Sequence, residues 1–161
     1  MAQKKECASC KIKTVILIFV IAFILNIIWE NLHFSLYSST SLNYDNFFGI
    51  VIHSVFGLSL YTSIVDAFWV TVVFMFSICM FTHHLRFKKI HLAFFSLSLI
   101  LIAILIELRG LRNGLWSYNS LMPTIFGIGL SPMLQLAITG LVTLFIVKKI
   151  RKYLLEIKIC Y

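Results

Sequence analysis

"VILIFVIAFILNIIWENLHFSLY", Val15 to Tyr37, decides the fold. From Val15 to Leu25 every side chain is apolar; then Asn26, Glu30, Asn31, His33 and Tyr37 interrupt the run. At ~1.5 Å per residue a helix of this length crosses a hydrocarbon core ~30 Å thick. Three more apolar segments follow, at about Ile64–Phe81, Leu92–Glu107 and Thr124–Val147. Only helices and closed barrels satisfy their backbone in lipid, and barrel strands alternate in polarity. These runs do not alternate. The expected fold class is therefore all-α: one integral membrane domain, a four-helix bundle with spans at about 14–37, 62–82, 91–109 and 123–147.

A fifth stretch, "FFGIVIHSVFGLSLY" (47–61), abuts the second span with no room for a turn. It reads as an extra interfacial or re-entrant helix, or as an extension of the second span.

Composition agrees. Of 161 residues, 60% are hydrophobic and only 12% charged, and the mean hydropathy is +0.97. A soluble domain of this size could not hide so much apolar surface, so membrane lipid is the expected partner. The net charge of +8 does not point to nucleic acid, because the basic residues flank the apolar runs. A homo-oligomer or a protein partner stays open.

Of the 14 Lys and Arg, all but Arg109 and Arg112 fall before the first span, between the second and third, or after the fourth. The positive-inside rule then places both termini and the 82–91 loop in the cytoplasm. The first span has a basic leader but no A-x-A-like site after it, so it reads as an uncleaved anchor. Cys7 and Cys10 form half of a zinc motif with no second pair, and plain thiols on a reducing side fit them better.

This topology gathers the acids. Glu30, Asp66 and Glu107 all lie toward the outer end of their spans. Asn26, Glu30, His33 and Tyr37 follow at intervals of four, three and four, one face of a helix. Ser59, Ser63 and Asp66 line the second span, Ser96, Ala103 and Glu107 the third, and Thr124, Ser131, Gln135, Thr139 and Thr143 the fourth. Packed inward, these faces give a polar interior near the outer end. A charged side chain within a span costs roughly 2.5–3.5 kcal/mol on insertion scales, so something offsets it. Two readings stand: ion pairing to Arg109 or Arg112, or a functional site. In the second, Glu30, Asp66 and Glu107 are the catalytic candidates. Asn26, His33, His53, Arg109, Arg112, Trp116, Tyr118, Asn119 and Gln135 are the binding candidates. Ser96, Thr139 and Thr143 read as helix-packing residues, and Trp29, Trp116 and Tyr118 as an aromatic belt.

The stretch "ELRGLRNGLWSYNSLMPTIFGIGLSPMLQ" (107–135) has Gly110 and Gly114 to break the third helix and Pro123 to open the fourth. Pro132 is expected inside the fourth helix, kinking it. Together with "NIIWENLHFSLY", His53 and Asp66, this stretch resembles a family of small prokaryotic polytopic membrane proteins, mostly uncharacterised. That resemblance implies four spans and supplies no activity. The Gly114, Trp116, Tyr118, Gly127, Pro132 series is more faintly similar to the membrane domains of lycopene cyclases. Where those carry an acidic pair, this chain has Met133, Leu134 and Gln135 after Pro132, so acid catalysis of that kind does not carry over.

Three function classes remain. One is an intramembrane enzyme using a carboxyl as general acid or base on a lipid or isoprenoid, with Arg109 and Arg112 on a headgroup. Another is a non-catalytic subunit or small transporter with structural acids. The third is a metal bundle, since Glu30-x-x-His33 lets one helix give two ligands, though such sites use two copies of the motif. No phosphate loop, G-x-S-x-G or H-E-x-x-H occurs. The sequence names no cofactor.

Overall fold

A computed structural model describes residues 2–33, 36–38, 55–81 and 89–159, with side chains described within 12–32, 36–37, 59–80 and 89–152. The elements are α1 (Ala2–His33), β1 (Tyr37–Ser38), α2 (Val55–Phe81), α3 (Lys89–Arg112), β2 (Ser117–Tyr118), β3 (Thr124–Ile125), β4 (Ile128–Gly129) and α4 (Leu130–Ile159). Four segments are long and apolar enough to cross a membrane: Ile12–Leu32, Ser59–Met80, Lys89–Arg112 and Leu130–Lys152. Each helix packs mainly on its neighbours, α1 on α2, α2 on α3, α3 on α4 and α4 on α1. The chain is an all-α bundle with two two-stranded ribbons at the end away from its termini.

Two opposed stripes on α1 explain its place. Ile18, Ala22 and Asn26 are fully buried, at a spacing of four. Ile16, Val20, Ile24, Ile28 and Leu32 are exposed at the same spacing. A helix repeats nearly every four residues, so one stripe meets protein and the other lipid. Small residues set the approach of α3 to α4. A Cβ on Gly140 would stand 2.7 Å from Leu99 Cδ1 and 3.1 Å from the Phe95 ring. The same device drives helix association in lipid generally. Hydroxyls inside the spans donate to their own helix: Ser96 to Leu92 O at 2.8 Å, Thr71 to Ala67 O at 2.7 Å and Thr143 to Thr139 O at 2.8 Å.

The described residues need no separate fifth helix. Residues 55–61 are the opening turns of α2; 47–54 lie outside the described residues. The first span ends at His33, not Tyr37, and Tyr37 leaves the helix face it was expected to share and enters β1.

The fourth span differs most from its expected course. Its helix begins at Leu130, not near Pro123. Thr124 to Gly129 form a hairpin, with Thr124 opposite Gly129 and Ile125 opposite Ile128. The two-residue loop, Phe126 and Gly127, has φ of 52° and 78°, the signature of a type I′ turn. Pro132 is thus the third residue of α4. Its missing N–H falls among those that have no helical partner anyway, so the expected mid-helix kink has no cause. At the end of α3, Gly110 stays helical and Gly114 turns the chain at φ 63°. Leu115 N–H bonds Gly110 O and Gly114 N–H bonds Leu111 O, the paired bonds of a Schellman cap.

Candidate functional site

Gln135 sits in the second turn of α4 and is buried. Its amide nitrogen is 2.7 Å from Glu30 Oε1 on α1 and 2.8 Å from Asp66 Oδ2 on α2. It is also 3.3 Å from Asn26 Oδ1. An amide nitrogen has two hydrogens, so the two short contacts to the carboxyl groups take them. Because α2 and α4 make little direct contact, the Gln135–Asp66 bond crosses the bundle interior. The two acids share one donor.

Neighbours brace this centre. Asn26, 0% exposed, donates to Ala22 O at 2.9 Å and accepts from Thr139 Oγ1 at 3.2 Å. The single Thr139 hydroxyl hydrogen is shared between Asn26 on α1 and its own-helix Gln135 O, 2.9 Å away, so Thr139 joins helices as well as packing them. One turn nearer the loops, Asn31 Nδ2 donates to Ser59 Oγ at 3.0 Å. Between Ser59 and Asp66 on the same face of α2 stands Ser63, fully buried, its hydroxyl without a hydrogen-bond partner among the described residues.

Glu107 organises a second cluster. Tyr37 donates to its Oε1 at 3.2 Å. Its Oε2 accepts from Trp116 Nε1 at 3.1 Å and from Tyr118 Oη at 2.5 Å. Tyr37 meets Trp116 edge-on and lies tilted against Tyr118, with ring centroids 6.4 and 5.6 Å apart. The Trp116 ring lies directly over Gly110, whose missing side chain makes the room. Tyr37 pairs with Tyr118 and Ser38 with Ser117. Burial, then the Glu107 and Glu30 charges, push the Tyr37 phenol well above its ordinary value. Burial and the hydrogen bond to Glu107 raise Tyr118 as well, against a bond from the Gly129 backbone that lowers it.

The expected gathering of polar groups at one end of the bundle thus divides into an acid pair on Gln135 and an aromatic cluster on Glu107. The expected arginine pairing is not its basis. Among the described residues the three carboxyl groups take hydrogen bonds from Gln135 and from aromatic donors, while Arg109 and Arg112 are exposed. Asn119 is a loop brace: its N–H bonds Leu36 O at 3.0 Å and its Oδ1 accepts from Leu121 N–H at 2.9 Å. His33 closes α1, but its side chain lies outside the described residues, as does His53 altogether. Among the described residues, no three His, Cys, Asp or Glu side chains gather to hold a metal.

Sequence reasoning missed Tyr37 as a partner of Glu107, Gly110 as the floor under Trp116, and the hairpin. A signal for the last was present: "TIFGIG" puts a residue–glycine pair between isoleucines.

No family model, no curated protein and no solved structure matches the chain.

Proposed function

We propose that this protein is an intramembrane enzyme that exchanges protons with a lipid or isoprenoid, using Glu30 and Asp66 as the acid–base pair. The observation that carries this reading is the meeting of two carboxyl groups on one Gln135 nitrogen inside a membrane bundle. A carboxyl pair can divide the two roles of an acid–base exchange, one group protonated and the other ionised. One can then protonate a carbon–carbon double bond while the other withdraws a proton from the adjacent carbon. The double bond moves, the pair ends as it began, and no oxidant or nucleotide is consumed. Gln135 positions the pair, with Asn26 and Thr139 behind it. Glu107 holds Tyr37, Trp116 and Tyr118 over the same end. In this reading that end faces outward and the basic termini face the cytoplasm of a prokaryotic cell.

A second reading has its own support. Among the described residues, the hydrogen bonds to Glu107 come from groups that brace the loops, as in a non-catalytic subunit or small transporter whose acids are structural.

The test uses purified protein in vesicles of a total prokaryotic membrane lipid extract, incubated in deuterium oxide. Mass spectrometry should find deuterium entering one lipid class with wild type, and not with Glu30→Gln or Asp66→Asn, each folded as judged by melting temperature. If no lipid gains deuterium above a protein-free control, the enzyme reading fails. Strong unfolding of both variants together with unlabelled lipid supports the structural reading.

A further inference from the structure

The β3–β4 hairpin and the turn before it leave their most apolar residues exposed. Phe126, at the tip, is 100% exposed; Leu121 and Ile125 are 74% and 46% exposed. Phe126 also holds a φ of 52°, a left-handed conformation that Gly, Asn or Asp occupy readily in a type I′ turn and a bulky aromatic does not. The turn chemistry therefore does not explain the residue. Something that the tip contacts must favour phenylalanine there.

Two further observations identify that contact as the lipid headgroup layer. First, no charged residue occurs between Arg112 and Lys148, so the loop carrying the hairpin is uncharged throughout, unlike a segment standing free in water. Second, the hairpin runs directly into the apolar span Leu130–Lys152. Its arms are two residues each, so at ~3.4 Å per residue the tip stays within about 10 Å of the span's start. The polar layer on each face of a bilayer has a comparable depth. Aromatic side chains favour this layer. The base is anchored: a Cβ on Gly129 would lie 3.0 Å from Pro132 Cγ and 3.1 Å from Met122 Sδ, and Leu130 N–H bonds Pro123 O at 2.8 Å.

We propose that the β3–β4 hairpin is a membrane-interface finger, with Phe126, Ile125 and Leu121 embedded among phospholipid headgroups and upper acyl chains at the loop end of the bundle. This does not depend on the acid–base reading.

The experiment introduces Phe126→Trp into the full chain and reconstitutes it in phosphatidylcholine vesicles. Subtracting wild-type emission isolates the new indole from Trp29, Trp69 and Trp116. Lipids brominated on the upper acyl chain should quench the difference signal strongly, and aqueous iodide weakly. Strong iodide quenching with little bromine quenching places the tip in water and overturns the proposal. Quenching by neither means that protein, a second copy included, covers the tip, and this also overturns it. A second variant, Phe126→Asn, suits the turn and should fold at least as well in detergent. In vesicles its hairpin amides should exchange with solvent faster than those of wild type. Unchanged exchange would count against lipid contact by Phe126.

Discussion

Tyr37, in the strand that follows α1, donates its phenolic hydrogen to Glu107 of α3 at 3.2 Å. Helices α1 and α3 stand diagonally across the bundle, so this bond ties the loop after the first span to the end of the third. Tyr118, paired with Tyr37 in the ribbon, uses the other carboxyl oxygen of the same glutamate.

This closure is sensitive to alkali. Both phenols titrate above the ordinary value in the folded chain. Above about pH 10 the unfolded state releases protons that the folded state retains, so stability falls as pH rises. Below that the phenols are neutral in both states and contribute no slope. Thermal melts in detergent between pH 8 and 11 should show a decline in wild type that is smaller in a Tyr37→Phe, Tyr118→Phe double variant. Equal declines would remove the phenols as its cause.

Gly110→Ala should dislodge Trp116. The added methyl would stand 2.0 Å from the indole ring, and the ring cannot shift without stretching its bond to Glu107. A loss of about 1–3 kcal/mol is expected, as for other overpacked sites. Ala has the higher helix propensity, so local helix preference predicts the opposite sign. A rise in melting temperature would show that Trp116 does not rest on Gly110.

Gln135→Leu removes the shared donor but keeps the bulk. Depriving the buried Asp66 of this donor costs roughly 1–3 kcal/mol. The loss should shrink when Asp66→Asn is added, because an unmatched amide is less demanding than an unmatched acid. A double-mutant cycle on melting temperatures checks this. Strict additivity would mean that Gln135 and Asp66 do not interact energetically.

The orientation can be tested separately. A reporter active only outside the cytoplasm, fused after Asn119, should be active, and one fused after Lys89 should not. The reverse pattern would invert the bundle and move the acid pair to the cytoplasmic leaflet.

How much of this was legible before the structure depends on the kind of interaction. The helices were, because a run such as Val15–Leu25 has one stable form in lipid. The polar face of α1 was legible as far as Glu30, since helical periodicity fixes it. Tyr37 was not, because the same periodicity carries on in the letters after the helix has stopped. The hairpin was legible only as a weak turn signal: Phe126–Gly127 stand between isoleucines, but the apolar run from Thr124 to Val147 reads as one helix, and the positive φ of the two residues settles it. The arginine pairing failed for another reason. Charge suggests partners by sign, but Glu107 met three neutral donors whose positions depend on loop packing that sequence spacing does not encode.

The choice of Gln135 to join Glu30 and Asp66 has a consequence for how the bundle tolerates a moving proton. An arginine in its place would donate and never accept, so it would suit only two ionised acids. A carboxamide has both faces. Turned by half a rotation, it offers an oxygen to a carboxylic O–H where it had offered an N–H to a carboxylate. In the proposed proton exchange, rotating this one side chain would carry the centre between protonation states, with the four helices unmoved around it.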